Sequence, residues 1–194
     1  MKDIALHIMD IAQNSIRAGS DSIIITTVES PDDNRLTVTV ADNGKGMDEE
    51  TLQKADDPYF TSRKTRRVGM GLPLLKMNAT ISGGDMKITS SPASGTTVTA
   101  CFGYHHIDRP PLGDIPGVIA LLITANPSLN IVYSHAFNLE TWSISTHEIS
   151  EALDGAPVND LRMVRYLKEI IGENLKEIKT SKPDMINIRN LVNQ

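Results

Sequence analysis

Asp42-Asn43-Gly44-Lys45-Gly46-Met47 follows directly on an alternating apolar run, Leu36 to Val40. Two glycines two apart let a backbone come close to a flat ligand, because no Cβ intervenes. A carboxylate just before them can accept a hydrogen bond from an exocyclic amine, which is what selecting adenine requires. Taken alone, D-x-G-x-G is equally an ordinary turn after a strand.

Upstream, Ile4, Ile8, Ile11, Ala12, Ile16 and Ala18 recur at helical spacing, and Gly19 with Ser20 supplies the stop. The spacing predicts a helix over 4–18. Asp10 and Asn14 are four apart and so share one of its faces. An amide oxygen beside a carboxylate suits Mg²⁺, which prefers oxygen ligands and keeps several waters. That carboxylate could instead orient or deprotonate a water attacking a terminal phosphate, and a solvated polar face is the plain alternative. Ser22 to Val28 is rich in β-branched residues, and Pro31-Asp32-Asp33-Asn34 is turn chemistry, so 22–28 and 36–40 read as an antiparallel pair.

Downstream, 48–54 reads as a short helix and 56–68 as an exposed polar loop. Lys64, Arg66 and Arg67 in that loop can neutralise phosphate charge, arginine by paired hydrogen bonds and lysine as a point charge. Gly69-Met70-Gly71-Leu72-Pro73 leads straight into a predicted helix over 72–81. Free N–H groups at a helix start, with its dipole, form an anion site; a simple helix entry is the alternative. The stretch lacks the Gly-Lys-Ser/Thr of a Walker A loop and the third glycine of a Rossmann turn. Strands follow at 86–89 and 96–102, with Ser94-Gly95-Thr96-Thr97 at the start of the second. Cys101 falls in this alternating run and reads as a buried structural thiol.

The 194 residues allow one large domain or two small ones. With 40% hydrophobic and 22% charged residues, the composition suggests neither disorder nor a membrane class. A formal charge of −5, with no basic half, argues against nucleic acid as a partner. A single cysteine excludes an internal disulfide and a multi-cysteine zinc site. The start carries no secretory pattern and no apolar run could span a bilayer, so the chain reads as cytoplasmic.

His105 to Gly117 holds three prolines and two glycines and reads as a linker, dividing a domain at 1–104 from a small α+β region at 118–194. That region holds a helix over 118–124, a hairpin of 129–134 and 139–145, and helices over 146–153 and 158–178. Ser145 with Glu148 matches a capping box, and Trp142 reads as core.

Helix with Asp10 and Asn14, strands, Asp42-x-Gly-x-Gly, basic loop, Gly69-x-Gly, strand and Gly95-Thr-Thr form one ordered series. It resembles the GHKL ATPase superfamily of gyrase, heat-shock chaperone, histidine kinase and MutL-type mismatch-repair proteins, over residues 4–102. Gly83-Gly84 and Pro58-Tyr59-Phe60-Thr61-Ser62 look like the histidine-kinase version. The resemblance implies an α/β (α+β) two-layer sandwich, a mixed and mainly antiparallel sheet with helices on one face and ATP held under a mobile lid at about 56–68. It implies that Asn14 holds Mg²⁺ and Asp42 bonds the adenine amino group. Gly44 and Gly46 would shape the adenine pocket, with Met47 and Ile81 near the base. Gly69 and Gly71, with Leu72 behind them, would meet the phosphates, and Thr97 would support the adenine side.

Two features depart from that pattern. Mismatch-repair and gyrase-like relatives carry a general-base glutamate four residues before the asparagine, and here Asp10 stands there, shorter by about one C–C bond. Such a misplacement matters for rate, so slow turnover or none is expected. The chain also opens on the asparagine-bearing helix, with no room for a histidine kinase's phosphoacceptor hairpin, and His7 reads as a surface or packing residue. Three functions follow: a slow ATPase or ATP-driven switch acting on a protein partner or a second copy, a stand-alone protein kinase acting on a separate protein, or a nucleotide-binding regulatory module without catalysis.

Overall fold

The computed structural model describes residues 2–55, 71–153 and 161–180. Period-two runs form the strands β1 (Ser22–Ser30), β2 (Arg35–Asp42), β3 (Met86–Ser90), β4 (Thr96–Gly103), β5 (Asn130–Phe137) and β6 (Glu140–Ser145). They join in one sheet, in the order β3-β4-β2-β1-β5-β6. Every pairing is antiparallel except β1 with β5, so the sheet is mixed, as expected.

One face is buried: Ile23 and Ile25, Leu36, Val38 and Val40, Val98, Ala100 and Phe102, Ile131 and Tyr133. Helices α1 (Ile4–Arg17), α3 (Gly71–Ile81), α4 (Ile115–Ala125) and α6 (Leu161–Thr180) cover it, with the short α2 (Glu49–Gln53) and α5 (Thr146–Ala152) at the margins. The other face carries Thr26, Thr37, Thr39, Thr97 and Thr99, none of them buried. Cys101 belongs to this second face and is half-buried, which corrects its reading as a core thiol: alternation places it opposite Ala100 and Phe102. Its sulfur lies 3.7 Å from both Arg35 and Thr37.

The helix boundaries follow local chemistry. Asp3 caps α1 by accepting from the Leu6 N–H at 2.9 Å, and Gly19, at φ 77, turns the chain after it. Ser145 and Glu148 form the reciprocal capping box read from the sequence.

Residues 105–117 do not separate two sheets. Pro111 and Leu112 accept hydrogen bonds from the Ile4 and Ala5 N–H groups at the start of α1, and α4 already begins at Ile115. β5 then adds to the edge of β1 in parallel, residue for residue from Ser22 with Asn130 to Glu29 with Phe137. α4 is apolar nearly all round, and α1, α6 and the sheet cover it on all but the side of Leu121. Burying Ile119, Leu122 and Ile123 is worth roughly 1.5–3 kcal/mol each. That sum is comparable to a domain's net stability of about 5–15 kcal/mol, so the second half is integral to the core.

Candidate nucleotide site

β2 ends at Asp42, where the sheet meets the C-terminal end of α1. Asp42 pairs with Ile23 on one side and Thr96 on the other. Its Oδ1 accepts from the Gly44 N–H at 2.9 Å and the Thr96 N–H at 3.3 Å, and its Oδ2 accepts from the Ser15 hydroxyl at 2.6 Å. Three donors from three elements fix this carboxylate. Ser15 is 2% exposed and sits on the apolar stripe of α1.

The turn after Asp42 is held from both sides. Asn43 Oδ1 accepts from the Ser20 hydroxyl and from the Asp21 and Ser22 N–H groups, at 2.9 to 3.1 Å. The Lys45 N–H donates to the Ala18 carbonyl and the Ala93 N–H to the Lys45 carbonyl, which ties the turn to α1 and to the β3–β4 hairpin. A Cβ on Gly44 would stand 3.0–3.1 Å from Ala18 and Asp42, so a larger residue would press the turn a few tenths of an ångström away from α1. Gly46, at φ 66, has a packing reason of its own. A Cβ there would meet the Ser91 carbonyl oxygen at 1.9 Å, so packing of two turns already demands glycine. Met47 is half-buried, and its N–H donates to the Ser90 hydroxyl at 2.9 Å.

Thr97 is a correction. Alternation along β4 turns it to the sheet's uncovered face, paired with Ala41, while Thr96 faces the helices beside Asp42. The Thr96 hydroxyl lies 2.9 Å from that of Ser90. Ile81 is a second correction: α3 runs away from Asp42, and its far end joins the opposite end of β4, where the Gly103 N–H donates to the Ser82 carbonyl. Eleven residues of helix put Ile81 roughly 15 Å from Gly71.

Asp10 and Asn14 stand one turn apart on α1, both half-buried. Gly71, the first residue of α3, lies directly against Asp10, since a Cβ on it would come within 1.8 Å of Asp10 Oδ2. Leu72 packs against the core. Asp10, Asn14, Asp42, Gly44, Met47 and Gly71 therefore border one region, the surroundings of α1 between the β2 turn and the start of α3. Lys64, Arg66, Arg67 and Gly69 lie outside the described residues.

Magnesium takes one or two protein oxygens plus phosphate oxygens and keeps its other waters. Asn14 with Asp10 one turn away is a donor set of that size. No group of three or more His, Cys, Asp or Glu side chains able to hold a metal occurs among the described residues.

Ser15 and Thr96 bond Asp42, and Ser90 bonds Thr96 and Met47; motif reading missed all three. Ser15 had a signal, a polar residue at the position that continues Ile8 and Ile11 on the buried stripe. Thr96 needed only the parity count back from Val98. His7, in turn, is a packing residue: 2% exposed, with Nε2 3.0 Å from Asn78 Nδ2. Lys168 pairs with Asp114 at 2.6 Å. Among the described residues, no helix is long and apolar enough to cross a membrane.

The histidine kinase-, DNA gyrase B- and HSP90-like ATPase family matches residues 2–105. Sensor histidine kinase ZraS of Klebsiella oxytoca is 34% identical over 93 residues, 47% of this chain and 20% of that protein. Histidine protein kinase DivJ of Caulobacter vibrioides is 27% identical over 132 residues, 66% of this chain and 19% of that protein. The chain thus spans about one fifth of the length of these relatives. Among solved structures, the N-terminal domain of a DNA repair protein superposes with a TM-score of 0.57 at 15% identity, over 81% of this chain and 58% of that one. The likeness of fold therefore reaches beyond residue 105.

Proposed function

We propose that this chain, which belongs to the histidine kinase-, DNA gyrase B- and HSP90-like ATPase family, binds Mg-ATP around α1 and works as a slow ATPase or ATP-driven switch on a protein partner. The observation that carries this is the Asp42 carboxylate, fixed by Ser15, Gly44 and Thr96 at one end of a face whose other end holds Asp10, Asn14 and Gly71. Asp42 accepts from the adenine amino group. The start of α3 offers backbone N–H groups and a helix dipole to the phosphates. Asn14 gives its amide oxygen to Mg²⁺, and the ion, when bound, neutralises charge on the terminal phosphates. Asp10 orients the attacking water and takes its proton, from a reach one methylene shorter than a glutamate's. Hydrolysis is accordingly slow.

A second reading is phosphoryl transfer to a separate protein, favoured by the relatives named as sensor histidine kinases. A regulatory module that binds nucleotide without catalysis is the third. ATP labelled in its terminal phosphate, incubated with the chain and a cell extract, separates them. Label as free phosphate supports the first, label on a protein the second, and neither the third. Asp10→Glu is expected to raise phosphate release; unchanged release would count against Asp10 as the base.

A further inference from the structure

α1 and α3 face each other along two matched stripes. On α1, His7, Asp10 and Asn14 follow at steps of three and four, and on α3, Gly71 and Asn78 lie two turns apart. Two of the contacts between them matter here: Gly71 lies against the Asp10 carboxylate, and the Asn78 amide meets His7 Nε2 at 3.0 Å. One contact borders the phosphate end of the site. The other lies deeper, with His7 buried and Asn78 half-buried.

The deeper contact is expensive to keep. His7 is 2% exposed, and its Nδ1 finds no hydrogen-bond partner among the described residues. With the Asn78 amide donating to Nε2, the ring is neutral and its proton sits on Nδ1, buried without an acceptor. An unsatisfied buried donor costs on the order of 1–3 kcal/mol. Burial pushes the ring's pKa down to about 4, so it is neutral at ordinary pH. An aliphatic side chain would fill this position on the apolar stripe without an orphaned polar atom. What the imidazole supplies instead is a directional contact of fixed length between two helices.

We propose that His7 and Asn78 form a positioning pair for the triphosphate, setting the separation of α1 and α3 and thereby the placement of Gly71 and the start of α3 relative to Asp10 and Asn14. The inference rests on the nucleotide reading given above. The adenine end does not depend on this contact, because Asp42, Ser15 and Thr96 belong to β2, α1 and β4, with no residue from α3. Loss of the pair therefore separates the two halves of the ligand. Phosphate contacts weaken, since small misplacements of an anchored group are costly, while the nucleoside is held as before.

Equilibrium dialysis of labelled adenosine and labelled Mg-ATP tests this in the wild-type chain, His7→Leu, Asn78→Leu and His7→Gln. Glutamine carries an amide to about the place of Nε2 and restores the contact. The expected result is a preference for Mg-ATP over adenosine reduced about five- to tenfold in either leucine variant, the equivalent of one neutral hydrogen bond. Adenosine affinity itself stays within about threefold, and His7→Gln recovers most of the preference. Asn78 is only half-buried, so its variant keeps the test usable if His7→Leu fails to fold. An unchanged preference in the leucine variants would overturn the proposal, as would equal losses for both ligands, which mean a purely structural role. A wild-type chain that binds neither ligand would instead refute the nucleotide reading itself.

Discussion

Glu29 is the buried charge that joins the two halves of the chain, and replacing it with glutamine should weaken them together. Its side chain is 2% exposed at the end of β1. Oε1 accepts from His135 Nε2 of β5 at 2.7 Å and from Lys179 of α6 at 2.5 Å, while Oε2 accepts from the Tyr104 hydroxyl at 3.1 Å. The Tyr133 hydroxyl lies 2.6 Å from His135 Nδ1 and completes the chain. Burial alone would push the carboxyl's pKa up; the bonds from His135 and Lys179 outweigh it and bring it from 4.5 down to about 2. At about 1.4 kcal/mol per pH unit, that shift is on the order of 3 kcal/mol. A depressed carboxyl contributes stability in full above its unfolded value of 4.5 and loses it as the pH falls towards 2. Breaking a buried pair costs about 3–5 kcal/mol, and the lower end applies because Lys179 can reach water. Urea denaturation of wild type and Glu29→Gln should thus differ by about 3 kcal/mol at pH 7 and by less than half that at pH 3. Followed by Trp142 fluorescence in β6 and by Cys101 thiol reactivity in β4, both transitions should shift and coincide. A difference that stays constant down to pH 3 would refute the ionised pair. A shift seen only at Trp142 would show that the halves unfold independently.

Ser15→Ala removes a 2.6 Å charge-assisted bond to Asp42, and should cost about 1–3 kcal/mol in stability and roughly tenfold in Mg-ATP affinity; unaltered affinity in a titration would show that Asp42 needs no support from α1. Gly95→Ala places a Cβ 1.9 Å from the Asp42 carbonyl oxygen at φ 81, whereas Gly19→Ala meets open space at φ 77. Both pay the left-handed penalty of about 1–2 kcal/mol, and only the first adds a clash of about 1–3 kcal/mol, so equal denaturation midpoints would contradict the packing described. His7 is depressed from 6.5 to about 4, so its contribution is complete above pH 6.5 and declines as the pH falls towards 4. His7→Leu should flatten the stability profile across that interval, and an unchanged profile would mean the ring is not buried as described.

Much of the first half was legible because its signals are local. The stripe of α1, the alternation of β1, β2 and β4, and the glycines beside Asp42 each sit within a few residues of what they specify. The single-residue error at Thr97 has a local cause too: a run of Gly-Thr-Thr looks alike until parity is counted back from Val98, and that count puts Thr96 beside Asp42. The second half was different. Residues 129–134 and 139–145 read correctly as a hairpin, but periodicity cannot say which strand a hairpin joins. Its pairing with β1 across more than a hundred residues is fixed by burial of Ile131 and Tyr133 on the face that Ile23 and Ile25 already define. Glu29 and His135 were equally silent, since a charged residue at a buried strand position makes sense only with its distant partner in view. Proline and glycine at 105–117 read as a boundary because they break helix and strand, whereas the chain uses them to run across the start of α1.

Thermal melting of the wild-type chain and Asp42→Asn, with and without Mg-ATP, bears most directly on the proposal that this carboxylate reads adenine. At a hundred times its dissociation constant, Mg-ATP should stabilise the wild-type chain by about 2.7 kcal/mol, and Asp42→Asn, nearly the same in shape, should lose that shift. A shift that persists undiminished in the variant would contradict the assignment of Asp42, and a wild-type chain that Mg-ATP leaves unmoved would contradict the site.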